Sequence, residues 1–189
     1  MLATREEALE LLLKYNESDA LIKHAKQVEA AMMHWAKYYG EDEHKYGIVG
    51  LLHDLDYEKY PDLHCQKTEE ILKENDYDED IIRAIMSHGY GICTDVEPIT
   101  NMEKTLFTID ELTGIINALC LLRPSHSVLD LKTKSLSKKF KDKKFAEGCD
   151  RNIINKGIEM LDLDRNVVFE ETIKGLQERA EECGLKGEL

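Results

Sequence analysis

Apolar residues recur along most of the chain at helical spacing. Within 19–39, Leu21, Ala25, Val28, Met32, Trp35 and Tyr39 fall on one stripe at steps of three, four and seven, the period of an amphipathic helix. Gly40 follows, a residue suited to ending that helix. The stretch TREEALELLLK over 4–14 opens with Thr4 and carries Glu7 three places on, a capping-box pattern. Further helices are predicted over 43–55, 62–74, 78–88 and 101–122, with Asp62 and Asp78 as candidate caps and Pro124 closing the last of them. Residues 126–144 read as helical in pieces, and two more helices are expected at about 145–160 and 166–184. GYGICTDVEPIT is the longest turn-rich stretch. No period-two strand and no internal repeat is visible. The expectation is an all-α bundle of seven to nine helices forming one domain over 1–189, with a core at about 19–122 and the segment 123–189 packed on it.

Helical phase also sorts the seven histidines. His24 lies four residues before Val28, about 40° from the buried stripe at about 100° per residue. His53 follows Val49 by four, His64 precedes Ile71 by seven, and His88 follows Ile85 by three, so all three point inward. His34 and His44 are expected to be solvated, and His126 follows Pro124 in a loop. Each inward imidazole needs a polar partner. Asp54 adjoins His53, and Asp110 shares the apolar side of its helix with Leu106 and Thr113. A carboxylate in that position is costly without a balancing cation. A divalent metal satisfies these groups together, because neutral imidazoles and carboxylates are good ligands and helical bundles build such sites from facing side chains. An ion lying off the end of the 43–55 helix is within reach of both His53 and Asp54.

An inward histidine, a His-Asp pair within VGLLHDLD and a distant aspartate together resemble the HD superfamily of metal-dependent phosphohydrolases. In that pattern the first histidine lies about thirty residues before the pair, and His24 is 29 before His53. The resemblance implies His24, His53, Asp54 and Asp110 as core metal ligands. It implies His64 (in HCQKTEEIL) and His88 (in IIRAIMSHGYG) as the extra ligands of two-metal members, with Asp54 as the bridge. The family's usual histidine doublet is absent here, because Gly89 follows His88. The stretch from DELTGIINALC to FAEGCDRN resembles the C-terminal part of a bacterial and archaeal subgroup of predicted HD hydrolases. The implied fold is all-α with the metal in the bundle centre.

The resemblance implies a divalent cofactor, one or two ions of Mn, Fe, Co, Zn, Ni or Mg, whose bound water falls in pKa toward about 7. The expected reaction is hydrolysis of a phosphate ester or anhydride of a small molecule, nucleotides included. Asp56 and Glu58, just past Asp54, are candidates to orient or deprotonate the water. The lysines from Lys132 to Lys144 reverse the local sign of a chain with net charge −13. Arg123, Lys134, Lys138 and Lys139 are the candidate phosphate contacts, and a solvated helix face is the plainer reading of the run. Tyr90 in the GYG loop could offer a stacking surface or a lid, and Trp35 is assigned to the core. Two other functions stay open: a di-iron oxygenase on the same ligands, and a metal-containing nucleotide-binding or sensing module without chemistry.

Charge and cysteine usage narrow the setting. A chain so acidic is a poor general binder of nucleic acid or anionic membranes. No apolar run approaches the roughly 18 residues of a membrane span, and the N-terminus lacks a secretory signal pattern. Five dispersed cysteines without a CxxC pair suit reduced thiols in a cytoplasmic protein rather than a zinc cluster.

Overall fold

The computed structural model describes residues 1–189. Nine α-helices account for the regular structure: α1 (Arg5–Tyr15), α2 (Asp19–Tyr39), α3 (Glu43–Leu52), α4 (Gln66–Glu74), α5 (Glu79–Ser87), α6 (Asn101–Leu121), α7 (Thr133–Phe140), α8 (Arg151–Leu161) and α9 (Arg165–Glu178). There is no named strand, so the all-α expectation holds. The capping box at α1 is present, with the Thr4 side chain taking the Glu7 N–H and Glu7 taking the Thr4 N–H. Thr100 and Glu103 form a second such box at α6. Gly40 ends α2 at φ +68°, where glycine carries no Cβ penalty.

Several boundaries differ from the sequence expectation, each for a local reason. The 43–55 helix stops at Leu52, and His53 and Asp54 lie in the tight turns that follow. The 62–74 helix divides into a 3-10 turn (Pro61–Leu63) and α4, because Cys65 adopts a positive φ of 68° between them. Only Thr133–Phe140 of the lysine-rich stretch is helical, and α8 begins at Arg151 after a run of turns. Asp78 precedes α5 but makes no capping bond, since its carboxylate pairs with the N-terminal amine.

The two long helices, α2 and α6, run through the centre. α2 packs on α3, α6 and α9, while α6 packs on α5 and α8. A single contiguous apolar cluster runs from Ala3 to Leu185, with Val28, Met32 and Trp35 of α2 fully buried within it. The Trp35 indole N–H donates to Thr172 Oγ1 at 3.2 Å, which ties α2 to α9. The same contact region corrects the reading of His34. Its ring lies between Glu171 (2.7 Å) and Glu178 (2.8 Å) of α9, a face that α2's own periodicity leaves to water. His44 is exposed as expected, with Nε2 donating to the Ala3 carbonyl at 2.8 Å.

Gly50 sets the distance between α2 and α3. A Cβ there would lie 2.9 Å from the Val28 carbonyl oxygen and 3.0 Å from Glu29 Cα. These are backbone atoms that cannot swing aside. Gly50→Ala is therefore expected to cost about 1–3 kcal/mol through overpacking and to separate the helices that carry His24 and His53. A lowered denaturant midpoint at unchanged m-value checks this.

Candidate metal centre

Five elements meet at one point. α2 contributes His24 from its first half, and the end of α3 delivers His53 and Asp54. The residue after the 3-10 turn is His64, the C-cap of α5 is His88, and the middle of α6 carries Asp110. His24 Nε2 lies 2.9 Å from Asp110 Oδ1, and His53 Nε2 lies 3.3 Å from the same oxygen. Asp54 stands between two groups. Its Oδ2 faces His53 Nε2 (3.4 Å) and His24 Nε2 (3.9 Å), while its Oδ1 faces His88 Nε2 (3.4 Å) and His64 Nε2 (3.5 Å). Two clusters result, His24–His53–Asp54–Asp110 and Asp54–His64–His88, each with ligand atoms within 4.8 Å of one another.

The remaining ring nitrogens explain which atoms are free. His53 Nδ1 donates to the Gly50 carbonyl at 2.8 Å, and His88 Nδ1 donates to the Ile85 carbonyl. His64 Nδ1 donates to Asp56 Oδ1 at 2.8 Å. A carbonyl or carboxylate can only accept, so each Nδ1 carries a proton, and each Nε2 is the atom left to face Asp54, with those of His64 and His88 3.2 Å apart. His53 Nε2 is buried and has no hydrogen-bond partner at all. An orphaned, fully buried imidazole nitrogen 3.3 and 3.4 Å from two carboxylates fits a cation between them.

The electrostatics agree with that fit. Burial pushes the His53 imidazolium toward neutrality, but Asp54 and Asp110 outweigh it and raise its pKa well above the ordinary value. Burial likewise opposes ionisation of Asp54 and Asp110, and the charge of His53, chiefly, holds both well below the usual carboxylate range. Without a cation, protons take the place that a metal would fill.

Asp56 and Glu58 have roles different from those the sequence suggested. Asp56 is fully buried, with Oδ1 on His64 and Oδ2 accepting the Thr68 N–H at 2.8 Å. No water reaches it; it fixes the His64 ring. Asp56→Asn is expected to lower metal affinity about 10–100-fold, as loss of an orienting carboxylate does, measured by competition with a chromophoric chelator. Glu58 is exposed and turned away. Its Oε2 accepts the Glu17 and Ser18 N–H groups at 2.8 and 3.0 Å and so ties off the start of α2.

The basic candidates are also elsewhere. Arg123 is engaged by Asp130, with its guanidinium at 2.8 Å from Oδ2 and 3.0 Å from Oδ1. Leu136 and Phe140 turn inward from α7, which leaves Lys134 and Lys138 exposed on its other face. Lys139 sits over the Phe145 ring, 3.7 Å from Asp142. None of the four lines the pocket above the histidines. That pocket holds about 330 Å³. Tyr57, Ile92, Phe107, Glu111 and Ile153 form walls that sequence reasoning missed. Phase could have found Phe107, three residues before Asp110, but not Glu111, which lies about 100° round α6 from it. Tyr90 is not a wall, and the Lys156 amine lies over its ring at 4.4 Å. Burial, and then the Asp110 charge, raises the Glu111 pKa, and its Oε2 accepts the Asp150 N–H at 3.0 Å.

The cysteines are less dispersed in space than in sequence. Cys65 Sγ and Cys93 Sγ lie 2.9 Å apart, and with His64 they form a third group of converging ligand atoms. The turns after the two outer histidines bring them together.

The HD domain family model matches residues 21–115, a span that takes in all six converging residues. The chain belongs to the HD domain family. HD domains are generally metal-dependent hydrolases that bind divalent ions, and the two His/Asp clusters of this HD protein can hold such ions. No curated protein and no solved structure matches the chain. No helix of the HD protein is long and apolar enough to cross a membrane.

Proposed function

We propose that this HD protein is a metal-dependent phosphohydrolase that cleaves a phosphate ester or anhydride of a small molecule. One observation carries the reading: three imidazoles, each with Nδ1 tied back, turn their Nε2 atoms toward the two oxygens of one carboxylate, Asp54. His24, His53, Asp54 and Asp110 would hold one ion, and Asp54, His64 and His88 a second. Bound there, a divalent ion supplies an acidified water and positive charge for phosphoryl oxygens.

The chain's own residues do the rest. Asp56 holds the His64 ring so that Nε2 keeps its direction. Gly50 and Ile85 carbonyls keep the His53 and His88 protons on Nδ1. Phe107 and Ile153 add apolar wall beside the His/Asp floor. Tyr57 packs edge-on against the His64 ring at 5.2 Å and limits how far it can turn.

The test is phosphate release from a panel of phosphomonoesters and nucleotides, with protein loaded in turn with Mn, Co, Zn, Fe, Ni and Mg. Release that a chelator stops and added metal restores supports the proposal. No release with any metal contradicts it. Oxygen uptake by iron-loaded protein would point to an oxygenase, and nucleotide binding without turnover to a sensing module.

A further inference from the structure

We infer that the pocket selects a phosphate monoester with an apolar leaving group and rejects chains of two or more phosphates, with Glu111 enforcing the rejection. The inference rests on the phosphohydrolase reading and names the substrate class of that same site.

The walls carry it. Above the His/Asp floor, the pocket is bounded by Tyr57, Ile92, Cys93, Phe107, Cys149 and Ile153; no Lys, Arg, Asn, Gln, Ser or Thr lines it, and the Tyr57 hydroxyl and the two thiols are its neutral donors. Glu111 is the one charged side chain in the walls beyond the floor. Its carboxylate is fixed by the Asp150 N–H at 3.0 Å rather than free to swing out. Sites that take polyphosphates surround them with guanidinium, ammonium or rows of backbone N–H donors. Here the basic groups are paired or outside the lining: Arg123 is paired with Asp130, Lys134 and Lys138 are exposed on α7, and the Lys156 amine, over Tyr90 and 5.9 Å from the Phe107 ring, does not line the pocket.

A single phosphoryl group therefore meets all its positive charge at the floor. A second phosphate would leave water for an apolar wall and a carboxylate, with no counter-charge to offset its desolvation. An apolar ring in the same place replaces water on exposed Ile92 and half-buried Ile153 and gains by burial, with the buried Phe107 ring behind them. At about 330 Å³ the space is at the small end of ligand pockets, enough for a ring-sized group.

The experiment compares kcat/KM of the metal-loaded protein for adenosine 5′-mono-, di- and triphosphate, and for benzyl against methyl phosphate, whose alcohol leaving groups are nearly equal in acidity. The monophosphate is expected to exceed the triphosphate by about tenfold or more, and benzyl to exceed methyl phosphate by about tenfold. Glu111→Gln keeps the acceptor for Asp150 and removes the charge. It should shrink the mono- to triphosphate ratio about threefold or more, mainly through a lower KM for the triphosphate. Calorimetry with phenylphosphonate and methylphosphonate reads the apolar preference without turnover, and the phenyl compound should bind more tightly. Triphosphate cleaved as well as monophosphate, with a ratio that Glu111→Gln leaves unmoved, overturns this inference while the phosphohydrolase reading stands. Equal binding of the two phosphonates overturns the apolar-wall part in the same way. No phosphate release from these compounds, with release from others of the phosphomonoester and nucleotide panel, overturns this inference alone, and no release across the whole panel overturns both.

Discussion

Asp54→Ala is expected to empty both halves of the centre and to lower kcat/KM by about a thousandfold or more, about 4 kcal/mol of transition-state stabilisation. The size of the effect follows from position. Asp54 alone belongs to both ligand groups, one oxygen facing His24 and His53 and the other His64 and His88. Asp110→Ala, by contrast, removes a ligand from one cluster only. It should leave the Asp54–His64–His88 group able to take an ion at reduced affinity. Metal content by plasma mass spectrometry, measured beside phosphate release, separates the two variants. Asp54→Ala protein with full metal content and full activity would remove Asp54 from the account.

Metal binding is expected to raise the thermal midpoint by about 10 °C. A ligand at about a thousandfold its Kd stabilises the folded state by about 4 kcal/mol, and each kcal/mol moves a chain of this size by about 2–4 °C. The difference should also grow with pH. In the metal-free chain the raised His53 pKa contributes stability that is complete below the ordinary imidazole value and is lost as pH rises through the folded value. The depressed Asp54 and Asp110 contribute above the ordinary carboxylate range, and that part is lost only as pH falls through their folded values. From pH 6 upward the metal-free protein therefore loses the His53 share and keeps the carboxylate share. Metal-loaded protein gains over the same range, because fewer protons compete for the Nε2 atoms. Scanning calorimetry with and without chelator from pH 6 to 8.5 measures the gap. A gap that narrows toward high pH would contradict the proton–metal competition.

What was legible in the sequence was what a single helix determines about itself. The limits of α2 at 19 and 39 and the Thr4 capping box rest on neighbours within one turn. The inward direction of His24 and Asp110 follows from phase against Val28, Leu106 and Thr113, whereas their meeting in one site rested on the resemblance to HD domains. His53, Asp54, His64 and His88 could be located at helix ends, although the turns that aim them could not be drawn. The rest depends on a second element. His34 needs α9 to bring Glu171 and Glu178. The lysines of α7 turn outward because Leu136 and Phe140 turn inward. Glu58 follows a turn whose direction no periodicity encodes, and it ends on the amides of Glu17 and Ser18. Cys65 and Cys93 meet through two turns, one of them bent by a non-glycine positive φ. The pocket walls likewise join α6, α8 and two loops, so their lack of basic residues appears only in three dimensions.

Anomalous diffraction at the absorption edge of the metal that co-purifies with the protein tests the central claim most directly. The account predicts a peak bounded by His24, His53, Asp54 and Asp110, and any second peak on the His64–His88 side of Asp54. A protein that retains no divalent ion, or a peak away from Asp54, would contradict it.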